Sequence, residues 1–269
     1  MSQADSSMKL TGEYLKPMPI KNPNIKSITM LPLVLIGGCI LLTRAAYSLS
    51  PNEKPIICID PGHPSETSAG ASDNGLVERH INWLVALQLR SLLTKQGVKC
   101  VMTKSNEMEF VTNRRRAEIA NKAHALLFIR LHCDAAGGNG FTLYYPSHSG
   151  RKYGVTGPPP AVCHESEKAA HLLDGVLKVK LQGYLHANPV RTDDSTYVGS
   201  HQGGVLTGSI FARVPTVLVE MCDLTSHHDD KFIATNAGRE RVATALDQAI
   251  ERYLEFQMLH ARNARSKGI

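Results

Sequence analysis

Apolar and polar positions along this 269-residue chain change period several times, and each change marks an element. Residues 55–59 (PIICI) form a short β-branched run ending at Asp60-Pro61-Gly62, the profile of a buried strand closed by a turn. Beyond it Ile81, Leu84, Val85, Leu89 and Leu92 recur at helical spacing, and Gly97 stands where a glycine closes a helix. Residues 98–103 predict the next strand. Thr112 is placed to cap a helix through Ala123, because its hydroxyl can accept from a free N–H of the first turn. Residues 125–131 (ALLFIRL) and 141–145 predict two more strands, 165–182 a helix stopped by Gly183, 216–219 a strand, and 238–256 a final amphipathic helix. This alternation predicts one α/β domain over 55–260, a mostly parallel twisted sheet flanked by helices, with a polar tail at 261–269. Two loop-rich stretches interrupt it. Residues 147–162, with Pro158-Pro159-Pro160, read as a surface insertion, and 193–209 carry Gly199, Gly203, Gly204 and Gly208.

The first fifty residues follow another rule. Residues 27–43 (SITMLPLVLIGGCILLT) are uncharged and mostly apolar, and at about 1.5 Å per residue they reach the lower limit for crossing a bilayer. Lysines precede this run, which predicts a cytoplasmic leader at 1–26, a signal or inner-membrane anchor segment at 27–43 and a linker at 44–54. The domain then faces the periplasm or cell wall. Ile36-Gly37-Gly38-Cys39 also fits a lipoprotein cleavage box, but the apolar run continues past Cys39, so a retained anchor is the preferred reading.

Charge changes the picture little. Half of the net +6 falls in residues 1–50, and Arg114-Arg115-Arg116 is a short cluster without interleaved aromatics, so nucleic acid is not an expected partner. The six cysteines contain no C-x-x-C pair, which argues against a structural zinc knuckle or a thioredoxin-type motif and favours buried free thiols.

Chemistry concentrates where predicted strands end, the edge at which parallel α/β sheets place working residues. The first strand ends in Asp60-Pro61-Gly62-His63, the strand at 125–131 runs into His132, the late strand ends in Val219-Glu220, and Glu78 opens the helix beginning near His80. Two histidines and a carboxylate are a common ligand set of hydrolytic zinc, because three protein ligands leave a tetrahedral position open to water. His63, Glu78 and His132 supply that set as a candidate Zn²⁺ site. Glu220 is placed as the further carboxylate that moves the proton. His132 and Glu220 carry the stronger signal, since each ends an apolar run where an unpartnered polar group is costly.

The ordered series IICIDPGH (56–63), GLVERHIN (75–82), NRRRAEIAN (113–121), LLFIRLHCDA (126–135) and VPTVLVEMC (214–222) resembles the zinc-dependent N-acetylmuramoyl-L-alanine amidases over about residues 55–256. The resemblance implies that His63, Glu78 and His132 bind zinc, that Glu220 is catalytic, and that the substrate is peptidoglycan, cut between muramic acid and L-alanine. Asp60 falls in the family's opening motif, either as structure or as support to the ligands. The chain departs from the pattern at three places: Arg130 and Cys133, where small residues are usual, and Met221-Cys222-Asp223 after Glu220. A non-catalytic wall-binding or scaffold protein on the same fold, or a zinc peptidase acting within the peptide stem, stays open at this point, as does a protein activator or regulator.

Overall fold

The computed structural model describes residues 54–266; the leader at 1–26, the anchor segment at 27–43, Cys39 and nearly all of the linker lie outside them. In chain order the elements are β1 (Ile56–Pro61), β2 (Ser72–Asp73), β3 (Leu76–Val77), α1 (Glu78–Lys95), β4 (Lys99–Met102), α2 (Asn113–Lys122), β5 (Leu127–Asp134) and β6 (Thr142–Tyr145). They continue with β7 (Gly150–Lys152), β8 (Val155–Gly157), α3 (Pro160–Lys180), β9 (Arg191–Thr192), a 3-10 turn (Asp193–Ser195), α4 (Tyr197–Ser200), α5 (Thr207–Phe211), β10 (Thr216–Asp223), α6 (His227–Ala234) and α7 (Asn236–Ser266). No helix among the described residues is long and apolar enough to cross a membrane.

Six strands form the central sheet in the order β4-β1-β5-β10-β6-β9. The first four run parallel, β6 runs antiparallel to β10, and β9 follows β6. The reversal at β6 has a local cause: residues 135–141 between β5 and β6 are too few for a helical crossover, so the chain turns back, and β10 later enters between them.

Register sorts the side chains, because residues paired across a sheet share a face. Ile57, Ile59, Ile129, Leu131, Val217 and Val219 lie on one face and build the main core under α1, α3 and α7. The opposite face is thinner. Its apolar parts are Cys58 and Phe128 against Ala117, Ala120 and Phe211 of α2 and α5, and Tyr144 and Leu218 against Leu206. It also carries Asp60, Arg130, His132 and Glu220.

Local signals account for the helix ends. Gly97, at φ +84°, ends α1 with Gly97 N–H donating to Thr94 O and Val98 N–H to Leu93 O, both 3.0 Å, the double closure of a glycine-terminated helix. The Thr112 hydroxyl accepts from Arg115 N–H at 3.1 Å at the start of α2, as its position predicts. Elsewhere the sequence reading is corrected. The stretch at 147–162 is an ordered β7–β8 hairpin leading into α3, which begins at Pro160 rather than at residue 165, and α7 runs past Phe256 to Ser266.

Candidate metal centre and groove

The turn after β1 is built tightly against β5. Gly62 N–H donates to Leu131 O at 2.9 Å, and the His132 ring lies so close that a Cβ on Gly62 would sit 2.5 Å from its Nε2 and 2.7 Å from its Nδ1. His63 follows at φ +59°, a left-handed conformation that histidine tolerates better than most residues. Its Nδ1 lies 3.2 Å from Ser68 O and 3.1 Å from Ser68 Oγ, and its Nε2 faces Glu78 Oε1 at 3.3 Å. The Lys104 ammonium, just beyond β4, donates to the His63 carbonyl.

Glu78 is the first residue of α1, where a negative charge is favoured by the helix dipole. Its Oε2 accepts from Ala71 N–H at 2.7 Å; its Oε1 accepts from Cys133 N–H at 3.2 Å and from the Asn82 amide at 3.3 Å, and lies 3.0 Å from His132 Nδ1. His63, Glu78 and His132 thus converge, each offering a ligand atom within 4.8 Å of the others. Burial pushes the Glu78 carboxyl up, but hydrogen bonds from His132 and His63 outweigh it and hold the group well below the ordinary carboxylate range. Burial lowers His132 to about 4, so its ring is neutral at pH 7, the state in which imidazole ligates a metal. Among the described residues His132 Nε2 is buried without a hydrogen-bond partner. An anionic carboxylate, a neutral buried imidazole with an orphaned nitrogen, and a second imidazole whose Nε2 faces that carboxylate are a donor set that fits zinc.

Glu220 pairs in register with His132, so the two side chains stand on neighbouring strands and the same face. Its Oε2 is buried with no partner among the described residues. Burial, reinforced by repulsion from Glu78 and Asp134, raises its pKa well above the ordinary value. The next matched pair is Asp223 with Asp134, which places one extra residue on β10 immediately after Glu220, a bulge of the kind that re-aims side chains. Within that bulge Cys222 touches Cys133, and burial, then Cys222, pushes the Cys133 thiol up. All five described cysteines are free thiols. A groove of about 240 Å³ opens beside Glu220 over β10, β6 and β9. A roomier hollow of about 390 Å³ lies at Tyr145, the end of β6 remote from Thr142, which pairs with Glu220, and none of the triad lines it.

Asp60 stands apart from the cluster. Its Oδ1 accepts from Thr103 at 2.6 Å and Arg116 at 2.5 Å, and its Oδ2 from Arg130 at 3.1 Å. Burial raises its pKa, but Arg116 and Arg130 outweigh it and hold the group far below the usual range. Arg116 also donates to Pro61 O at 2.8 Å and to Pro64 O at 3.0 Å, so this network fixes the chain on both sides of His63. Sequence reasoning missed Arg116 and Asn82 and treated Arg130 only as a departure. Asn82 lies one helical turn after Glu78, and Arg130 is a charge inside an apolar run that demands a buried partner, so both had a signal.

A family model described as N-acetylmuramoyl-L-alanine amidase matches residues 57–252. The N-acetylmuramoyl-L-alanine amidase AmiA of Escherichia coli (strain K12) is 27% identical over 252 residues, covering 80% of each chain. LytC, an N-acetylmuramoyl-L-alanine amidase of Bacillus subtilis (strain 168), is 26% identical over 85% of this chain and 42% of its own. Among solved structures, the apo form of the amidase Ami1 from Mycobacterium abscessus superposes with a TM-score of 0.62 at 24% identity, covering 74% of this chain and 98% of that one; this shows a shared fold. With the matched segment running from β1 into α7 and holding all four candidate residues, the chain belongs to the N-acetylmuramoyl-L-alanine amidase family and is an amidase.

Proposed function

We propose that this amidase hydrolyses the bond between N-acetylmuramic acid and L-alanine in peptidoglycan, with zinc held by His63, Glu78 and His132 and the proton moved by Glu220. The observation that carries the reading is a converging His-Glu-His donor set beside a glutamate on the adjacent strand that has one carboxylate oxygen buried and unpartnered among the described residues. When bound, zinc would supply a Lewis acid for the amide carbonyl and a water acidified to a pKa of about 7.

The chain's own residues do the rest. Glu78 is kept anionic, and Ala71 N–H, Cys133 N–H and Asn82 hold it in place. Ser68 holds the His63 ring through Nδ1. Glu220 has a raised proton affinity, which suits a group that takes a proton from water and returns it to the alanine nitrogen as that amine leaves. The sequence of the first 43 residues supports export, with the domain facing periplasm or wall and tethered to the inner membrane through residues 27–43.

Product analysis on purified peptidoglycan tests the reading. The expected products are intact glycan strands and stem peptides with a new L-alanine amino terminus. A cut within the stem would replace the reading with a peptidase, and binding without any new terminus would replace it with a scaffold.

A further inference from the structure

The face that holds the candidate centre continues beyond Glu220. Glu220 pairs with Thr142 and Leu218 with Tyr144 across β10 and β6, and Tyr144 pairs with Arg191 across β6 and β9. Paired residues share a face, so His132, Glu220, Thr142, Tyr144 and Arg191 stand on one side of the sheet in that lateral order. Arg191 lines the groove beside Glu220 and is the only cation among its described lining residues. Its side chain is exposed and makes no ion pair with any described residue. At the other end of the same groove Asp134 and Asp223 supply negative charge, and Asp223 is engaged by the backbone N–H groups of Ala136 and Gly138.

A groove with acids at one end and a free guanidinium at the other orients an anion. Direction follows from the proton: Glu220 delivers it to the leaving nitrogen, so the leaving peptide lies on Glu220's far side from the histidines, over β10, β6 and β9. Two strand spacings across and two residues along place the Arg191 and Glu220 Cα atoms about 12 Å apart. An extended peptide advances about 3.3–3.6 Å per residue and an arginine side chain spans much of the remainder, so Arg191 meets groups on the first residues after the alanine.

We propose that Arg191 is a specificity-determining subsite for a carboxylate carried by the peptide stem just beyond L-alanine, so that the preferred substrates are muramoyl peptides with that carboxylate free rather than amidated. The inference rests on the proposed muramoyl-alanine chemistry for its direction. A guanidinium receives a carboxylate through two parallel N–H···O bonds and an amide through one at most, and charge-assisted pairs of this kind correspond to about 10- to 100-fold in affinity.

The test uses the full zinc-loaded chain and two soluble N-acetylmuramoyl-L-alanyl peptides that differ only in a free or amidated carboxylate on the second residue. The parent is expected to favour the free acid in kcat/KM by about 10- to 100-fold. Arg191→Ala should lose that preference with an unchanged melting temperature, and Arg191→Lys, a point charge without the fork, should keep part of it. Calorimetric binding of the released alanyl-glutamyl dipeptide and its amide reads the subsite without turnover. Binding that discriminates in the parent but not in Arg191→Ala, with no cleavage of the muramoyl bond, upholds the subsite and sinks the proposed chemistry. Cleavage by a parent that ignores the carboxylate, or a preference that survives Arg191→Ala, overturns the subsite.

Discussion

Glu220→Gln separates catalysis, metal binding and stability in one variant. The amide replaces the carboxylate at nearly constant volume and touches none of the three candidate ligands, so zinc should stay at the parental level. A positioned proton-transfer group contributes about 10²–10⁴ in rate, which is about 2.7–5.5 kcal/mol of transition-state stabilisation and is the expected loss in kcat. The effect on stability runs the other way. Glu220 Oε2 is buried without a partner among the described residues, and its pKa is raised in the fold. The folded chain therefore holds this proton to higher pH than the unfolded chain, whose glutamate titrates at about 4.3, and stability drains away as pH rises above that value. After chelation, the variant should melt no lower than the parent at pH 7–8, and the two should converge near pH 4. Zinc content by elemental mass spectrometry, melting curves in chelator at both pH values, and turnover on a muramoyl-alanine amide complete the assay. Near-normal turnover by the zinc-loaded variant would remove Glu220 from the mechanism, and a marked drop in melting temperature would show that it serves as an ion-pair partner instead.

His132→Ala should lose zinc and activity together, measured by metal content and turnover on the same preparation. Gly62→Ala should weaken zinc binding by about 10- to 100-fold in a competition titration, since its methyl would sit 2.5 Å from His132 Nε2 and must displace the ring. Arg116→Met should cost about 3–5 kcal/mol in denaturant unfolding, the usual result of stripping a buried pair, and Arg130→Met less, because Arg116 and Thr103 still hold Asp60. Protease added to spheroplasts should cut the domain; protection until the inner membrane is lysed would contradict export.

The parts of the fold and site that were legible in the sequence are those where one residue type has one physical use. Thr112 reads as a cap, Gly97 as a helix stop, and His132 and Glu220 as polar groups ending apolar strands, which a buried sheet tolerates only with a purpose. His63 and Glu78 were weaker signals, a loop histidine and a helix-start glutamate, and the family resemblance added weight to both. What escaped depends on partners distant in sequence. Arg116 meets Asp60 across 56 positions, and nothing local to either distinguishes that pair from a solvated helix charge. The start of α3 was hidden because Pro160 reads as a breaker, whereas proline at the first helical turn gives up only an N–H that had no helical partner. The β7–β8 hairpin lacks apolar alternation, and β9 is only two residues long, so its one informative residue, Arg191, emerges only when register places it on the face of Glu220.

The proposed chemistry requires one zinc, held by His63, Glu78 and His132, for cleavage of the muramoyl–alanine bond. Titrating zinc into the metal-stripped full chain while following release of L-alanine amino termini from peptidoglycan tests it most directly. The expected result is no release at zero zinc and a linear rise that saturates at one equivalent per chain. Full release by the stripped chain, or saturation at one equivalent in His132→Ala as well, would contradict it.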